Sequence, residues 1–216
     1  MWSVLCGLAS TVFAAQDGEV ELRIVHTNDT HSCVMPVNPN SSDTALADKG
    51  GFVRRAALVR DLRAEDPDLL LFDSGDFSQG SAYYNLYKGD VEVKLMNEMR
   101  YDAVTIGNHE FDFGLDNMAR IFREATFPIV CANYHFEGTV LEGLVRPYVI
   151  LERKGVKVGV FGLGTQLEGM VASENYKGVT YEDPVTAANR GADELKNKEH
   201  CDLVVCLSHL GWDIDG

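Results

Sequence analysis

Basic residues are scarce in this chain: 19 Lys and Arg stand against 33 Asp and Glu, for a formal net charge of -14. Proteins that grip nucleic acid backbones need basic surface, so a nucleic acid polymer is excluded as a partner. Small anionic substrates are not excluded, because bound cations can reverse the potential of a carboxylate-rich pocket. Long apolar runs are also lacking. The most apolar stretch, MWSVLCGLASTVFAA at residues 1–15, is too short to span a bilayer, and no transmembrane segment is expected. There is no CxxC pair, internal repeat, low-complexity tract or interdomain linker.

Hydrophobic residues make up 45% of the chain, as in globular proteins, and 216 residues leave room for one substantial domain. Residues 1–15 are small and apolar, carry no side-chain charge, and end in Val12-Phe13-Ala14 ahead of Gln16-Asp17-Gly18-Glu19. They fit a secretory signal peptide, although the usual Lys or Arg is missing. The alternative is a buried N-terminal strand or helix. A lipoprotein anchor on Cys6 is disfavoured by bulky Leu5. The expected organisation is a leader at 1–15 and one domain at 16–216, in a secreted, periplasmic or cell-surface protein. Cys131 and Cys206 lie in apolar runs and are expected to be buried; no disulfide pairing can be assigned to Cys33, Cys131, Cys201 and Cys206. His135 and His200 sit in polar contexts and are expected at the surface.

Along the chain, short apolar runs alternate with amphipathic ones. Strands are expected at roughly 20–26, 69–72, 103–106, 128–132 and 203–207, and a hairpin at 146–151 and 156–161 around Lys154-Gly155, at an edge or at a switch between two sheets. Helical spacing joins Phe52, Ala56, Val59 and Leu62; then Val91, Leu95, Met96 and Met99; then Leu115, Met118, Ile121 and Phe122. Asp183-Pro184 reads as a helix start, with Val185, Ala188, Ala192 and Leu195 as its buried stripe. The long segment from Ser32 to Gly50 is a loop, of a length that is usually functional. The alternation predicts a layered α/β domain. Gly159, Gly162 and Gly164 do not make a dinucleotide fingerprint and are expected at a strand-to-loop turn. Asn28-Asp29-Thr30 matches a glycosylation sequon, but a sugar there would block the site described next. Glu194–Glu199 reads as a solvated helix end.

Four of the apolar runs stop at residues able to hold a metal. VELRIVH is followed by Asn28-Asp29-Thr30-His31, DLLLF by Asp73-Ser74-Gly75-Asp76, AVTI by Gly107-Asn108-His109-Glu110-Phe111-Asp112, and LVVCL by Ser208-His209. In open α/β sheets the ligand crevice lies at the carboxyl ends of the strands. Asp29, His31, Asp76, Asn108 and His209 should therefore converge on one edge of one sheet. Oxygen and nitrogen donors without thiolate suit Mn, Zn, Mg or Fe. Asp76 has two oxygens and could bridge two cations. His109, with Asp112 accepting its other ring proton, could present a protonated nitrogen to a phosphoryl or leaving-group oxygen. Asp112 also fits a helix N-cap ahead of Gly114. Asp73 reads as a turn or supporting carboxylate, and His26 as either packed or functional.

The fuller motifs are His26-Thr27-Asn28-Asp29-Thr30-His31-Ser32, Gly75-Asp76-Phe77-Ser78-Gln79-Gly80-Ser81, Gly107-Asn108-His109-Glu110-Phe111-Asp112 and Leu207-Ser208-His209-Leu210-Gly211. In this order, each after a strand, they resemble the calcineurin-like metallophosphoesterases, and among them the secreted 5′-nucleotidase branch. The resemblance covers essentially all of the chain after the leader. It implies a layered fold of mixed, mostly parallel sheets flanked by helices. It implies two divalent cations as cofactors: Asp29 and His31 on the first, Asp76 bridging, Asn108 and His209 on the second. His109, paired with Asp112, would stabilise the transition state while a metal-bound water attacks phosphorus. Nucleotides or other phosphate esters would be the substrates.

One departure from the family pattern bears on activity. Family members carry a further Gly-His-x-His motif, which supplies one more ligand to each metal, and a C-terminal domain that stacks the nucleoside base. The chain stops at Gly216 before either, so it looks truncated. Weak metal binding and weak or absent turnover are expected of it alone, unless a substrate-binding C-terminal domain or chain completes it. The alternatives are a 2′,3′-cyclic nucleotide phosphodiesterase, a nucleotide diphosphate or sugar hydrolase, or a non-catalytic metal-binding remnant.

Overall fold

The computed structural model describes residues 11–15 and 18–211. Its chain opens with an antiparallel hairpin of β1 (Thr11–Ala15) and β2 (Gly18–Leu22). Residues 1–10 of the expected leader lie outside the described residues. The order then runs β3 (Ile24–Thr27), α1 (Phe52–Glu65), β4 (Leu70–Asp73), α2 (Ala82–Tyr87), α3 (Asp90–Met99), β5 (Ala103–Val104), α4 (Gly114–Glu124) and β6 (Ile129–Val130). It closes with β7 (Tyr134–His135), β8 (Val145–Arg146), β9 (Tyr148–Arg153), β10 (Val156–Gly164), β11 (Thr180–Tyr181), α5 (Pro184–Asp193) and β12 (Leu203–His209).

Two sheets carry the architecture. β3, β4, β5, β6 and β8 pair in that order and all in parallel. The second sheet runs β12-β10-β9, parallel between β10 and β12 and antiparallel between β10 and β9. The chain passes from one sheet to the other between β8 and β9, at Pro147, which has no N–H to extend a ladder. The expected hairpin is thus β9–β10, and it stands at a switch between sheets.

Burial explains the stacking. Leu70, Phe72, Ala103 and Val130 of the first sheet meet Val158, Val160 and Leu207 of the second. Leu69, Leu71, Val104 and Ile129 face the other way, onto Phe52, Val59, Met96, Met118 and Ile121 of the helices. Each such Leu or Phe removed from water contributes about 1.5–3 kcal/mol. A third cluster joins Phe161 and Leu163 of β10 to Ala187 and Leu195. The layers are therefore helix, sheet, sheet, helix, a mixed α/β arrangement with a mostly parallel central sheet. No helix among the described residues is long and apolar enough to cross a membrane.

Three readings of the sequence are corrected here. The inward stripe of α5 is Ala187 and Gly191, continued by Leu195, whereas Val185 is 66% exposed. Small residues decide this face, because Gly191 lies against the Phe161 ring and lets the helix approach β10. Gly159, Gly162 and Gly164 lie within β10 instead of at a turn. A Cβ on Gly162 would sit 2.2 Å from the Val130 carbonyl, so the close contact of the two sheets demands glycine there. Cys206 is exposed, because it lies on edge strand β12 while α5 packs over β10; Cys131 is buried as expected.

Candidate metal centre

β3 and β4 pair with Thr27 beside Asp73, so the loops that leave them start side by side. Three backbone bonds keep them together: Asp29 N–H to Gly75 C=O (2.9 Å), His31 N–H to Asp76 C=O (3.0 Å) and Ser32 N–H to Phe77 C=O (2.9 Å). Five non-glycine residues in these loops adopt left-handed backbone: Asp29, His31, Ser32, Asp76 and Gln79, with φ of 50, 42, 50, 54 and 68°. Each costs on the order of 1–3 kcal/mol and persists only where surrounding contacts enforce it. The third loop crosses the second at close range. A Cβ on Gly107 would fall 2.1 Å from Asp76 Oδ1.

Buried carboxylates supply much of that enforcement. Glu110, 1% exposed, accepts the N–H groups of Asp76 (3.0 Å) and Gly107 (2.7 Å) on Oε2 and that of Ser78 (3.1 Å) on Oε1. Burial, reinforced by the Asp76 charge, raises its pKa. Asp73, fully buried, accepts the Thr27 hydroxyl (2.6 Å) and the Gly75 N–H (2.9 Å). Burial pushes its pKa up to about 6 against those two bonds. In the sequence Glu110 stands inside the Gly107–Asp112 motif without an evident role of its own. Its signal was its place directly after a strand-end motif, where unpaired backbone N–H groups need an acceptor.

The three histidines share one mode of attachment. His209 Nδ1 donates to the Ser74 carbonyl at 2.8 Å, His31 Nδ1 faces the Ser78 carbonyl at 3.3 Å, and His109 Nδ1 donates to Asp112 Oδ2 at 3.0 Å. Carbonyls and carboxylates only accept, so each Nδ1 carries hydrogen and each Nε2 is left for another partner. His209 Nε2 lies 3.3 Å from Asp76 Oδ2, and His31 Nε2 lies 3.6 Å from Asp29 Oδ1. The His109 N–H donates to the second oxygen of Asp76, Oδ1, at 2.9 Å. The His31 and His109 rings meet edge to face, 5.4 Å between centroids.

Donor atoms of Asp29, Asp76 and His209 lie within 4.8 Å of one another, as do those of His31, Asp76 and His109. The two groups share Asp76. Asn108, 8% exposed, precedes His109 at the same corner. Asp29, His31, Asp76, His109 and His209 thus come together, but across two sheets instead of one. His209 ends β12 of the second sheet, and its bond to Ser74 ties that sheet to β4 of the first. Stacking brings the carboxyl ends of both sheets to one rim. Asp112 does not cap α4; Phe113 holds the N-cap position, and the Asp112 carboxylate is taken by His109. His135 is half-buried and pairs with Glu182 at 3.2 Å, while His200 is exposed.

The electrostatics ask for a cation. Among the described residues, Asp29, Asp76 and Asp112 have ion pairs only to histidines, with no Lys or Arg partner. Burial alone would lower the His209 pKa, but the Asp76 hydrogen bond and the charges of Asp76 and Glu110 raise it to about 9. His31 is also raised, chiefly by its bond to Asp29, and that bond lowers Asp29. On His209 a proton stands in for positive charge. A divalent ion suits this donor set: carboxylates and imidazoles, no thiolate, and imidazoles anchored through the far nitrogen as metal-ligating histidines are.

Comparison with known proteins assigns the arrangement to a class. The calcineurin-like phosphoesterase family model matches residues 22–216, and the chain belongs to that family. Within it the relatives are more particular. The chain is 34% identical to human 5′-nucleotidase over 219 residues, covering 99% of this chain and 38% of the relative. It is 36% identical to snake venom 5′-nucleotidase from Crotalus adamanteus, covering 92% of this chain and 34% of the relative. A crystal structure of a 5′-nucleotidase precursor from Thermus thermophilus superposes with a TM-score of 0.77 at 35% identity, over 88% of this chain and 37% of that one. The chain thus spans little more than a third of the length of these three relatives.

Proposed function

We propose that these residues form the cation-binding, phosphoester-hydrolysing part of a 5′-nucleotidase-type enzyme, which releases phosphate from nucleoside monophosphates. One observation carries the reading: three imidazoles, each tied through Nδ1, turn toward one carboxylate, Asp76, at the common rim of two sheets. The names of the relatives support the substrate class.

In this reading Asp29 and His31 would hold one divalent ion and Asn108 and His209 a second, with Asp76 shared; the cation-free geometry itself groups Asp29 with His209, and His31 with His109, about Asp76. Bound there, the ions would act as Lewis acids toward phosphoryl oxygen and the attacking water. The protein's own groups do the rest. Glu110 and the three cross-loop backbone bonds keep the Asp76 carboxylate fixed, so no reorganisation is needed when charge develops on the phosphoryl group. Asp112 keeps the proton of His109 on Nδ1 and stabilises the imidazolium, so that Nε2 can donate to a phosphoryl or leaving oxygen. With Asp76 counted for both ions, the five residues give each ion three protein ligands, short of the coordination number of about six that such ions take. Residues 1–216 by themselves are therefore expected to hold cations weakly and turn over slowly.

The test is a substrate panel with added Mn: AMP, 2′,3′-cyclic AMP and an aryl phosphate, given to this chain and to a version extended by the C-terminal region of a longer relative. The two monoesters should be hydrolysed, faster in the extended version. Turnover of the cyclic diester alone would place the enzyme among the phosphodiesterases, and no turnover of any ester in the extended version would remove the enzymatic reading. Residues 1–15 are proposed as an export leader of a secreted, periplasmic or surface protein. Amino-terminal sequencing of exported material should then begin near Gln16; a retained Met1 would contradict it.

A further inference from the structure

Glu92 is a second buried carboxylate, away from the cation-facing groups, and no role has yet fallen to it. It lies on α3, fully buried, on the same helical stripe as Met96 and Met99, where an apolar residue would pack without desolvating a carboxylate. Its Oε1 accepts the hydroxyl of Ser32, while its Oε2 makes no hydrogen bond among the described residues. A hydroxyl has one hydrogen, so the 2.6 Å contact between Ser32 and Ser81 is donated by Ser81. Ser81 Oγ in turn accepts the N–H groups of Tyr83 and Tyr84 and caps α2. One chain of bonds therefore runs from the start of α2 through Ser81 and Ser32 to Glu92.

Ser32 is the last of three left-handed residues that follow β3, after Asp29 and His31. Its N–H is already spent on Phe77 C=O. Its side chain, also fully buried, is what remains to pin the end of this loop to the helices beneath. Glu110 clamps the Asp76 loop from below by backbone bonds. We infer that Glu92 is a positioning residue for the cation site: by taking the Ser32 hydroxyl it holds the strained turn that aims Asp29 and His31 at Asp76. The inference rests on the metal-centre reading above, and its test separates the two.

The experiment titrates Co(II) into the full 216-residue chain and into Glu92→Met, Glu92→Gln and Ser32→Ala, with far-UV circular dichroism to show folding. Co(II) serves because its visible spectrum reports ligand geometry. Glu92→Met fills the volume without an acceptor, and Ser32→Ala removes the donor. Each is expected to weaken Co(II) binding about tenfold or more, the usual cost of losing a group that orients a metal ligand, and to change the absorption bands. Glu92→Gln keeps an amide oxygen for Ser32 and should restore near-parental affinity and spectrum. Folded Glu92→Met with parental affinity and spectrum would overturn the inference, as would Glu92→Gln falling as far as Glu92→Met. If Glu92→Met fails to fold, Ser32→Ala decides alone, and unchanged binding there overturns it. Parental chain that binds no Co(II) would instead refute the metal centre itself, and the inference with it.

Discussion

Asp76→Asn should abolish turnover while leaving the metal-free fold intact. The amide keeps the shape of the side chain, and its oxygen can still accept the His109 N–H. What disappears is a negative charge shared by both donor groups. A unit charge pair 4 Å apart at an effective dielectric of 20 is worth about 4 kcal/mol, or roughly a thousandfold, and here the partners would be divalent. The expected result is a loss of at least ~10³-fold in kcat/KM with AMP and Mn in the extended version, with the cation-free protein still folded by far-UV circular dichroism. A variant that retains a tenth or more of parental activity would reject the shared role of Asp76.

His109→Gln carries the second large effect, and its signature is different. The imidazole is bonded to Asp112 at 3.0 Å and stands beside His31, and in the proposed reaction it acts on charge that appears only as phosphorus is attacked. Removing such a group lowers kcat by about 10²–10⁴-fold, with little change in KM or in cation binding. Asp112→Asn should show the same pattern at smaller size, because it alters the orientation and basicity of the ring instead of removing it. Steady-state kinetics alongside Mn titration separate the cases. If His109→Gln loses cation affinity in proportion to kcat, the histidine is a ligand and not the proton donor proposed here.

Much of this site could be read in the residues because its candidate ligands stand at the ends of hydrophobic runs. Asp29, His31, Asp76 and His209 follow strands, and strand ends in parallel sheets cluster whatever the rest of the chain does. Three features resisted that reasoning, each for a physical reason. The candidate ligands meet across two stacked sheets, which an apolar run does not reveal: Leu70 and Val158 look alike in sequence whether their strands share a sheet or face one another across it. The inward face of α5 is hidden because apolar size points to Val185, while close approach to Phe161 selects Ala187 and Gly191. Glu92 and Glu110 were passed over because a glutamate in a helix or turn ordinarily faces solvent. For Glu92 the clue was its register, four and seven residues before Met96 and Met99.

These buried glutamates also account for the strain. Five left-handed non-glycine residues within two loops would relax in isolation. Here they are held by backbone bonds between the loops, by Glu110 beneath one and by Ser32 and Glu92 beneath the other. Rigidity in this cluster places like charges together, and it raises the pKa of His209 to about 9 and that of His31 above its ordinary value, where a cation would otherwise supply the positive charge.

The most direct test of the account is an anomalous difference map from crystals of this chain soaked in Mn. Density should appear against the Asp76 carboxylate, with Asp29 and His31 on one side; any second, weaker peak should lie toward Asn108 and His209. A map without a peak at Asp76, or with Mn bound only elsewhere, would contradict the assignment of these residues to a shared cation site.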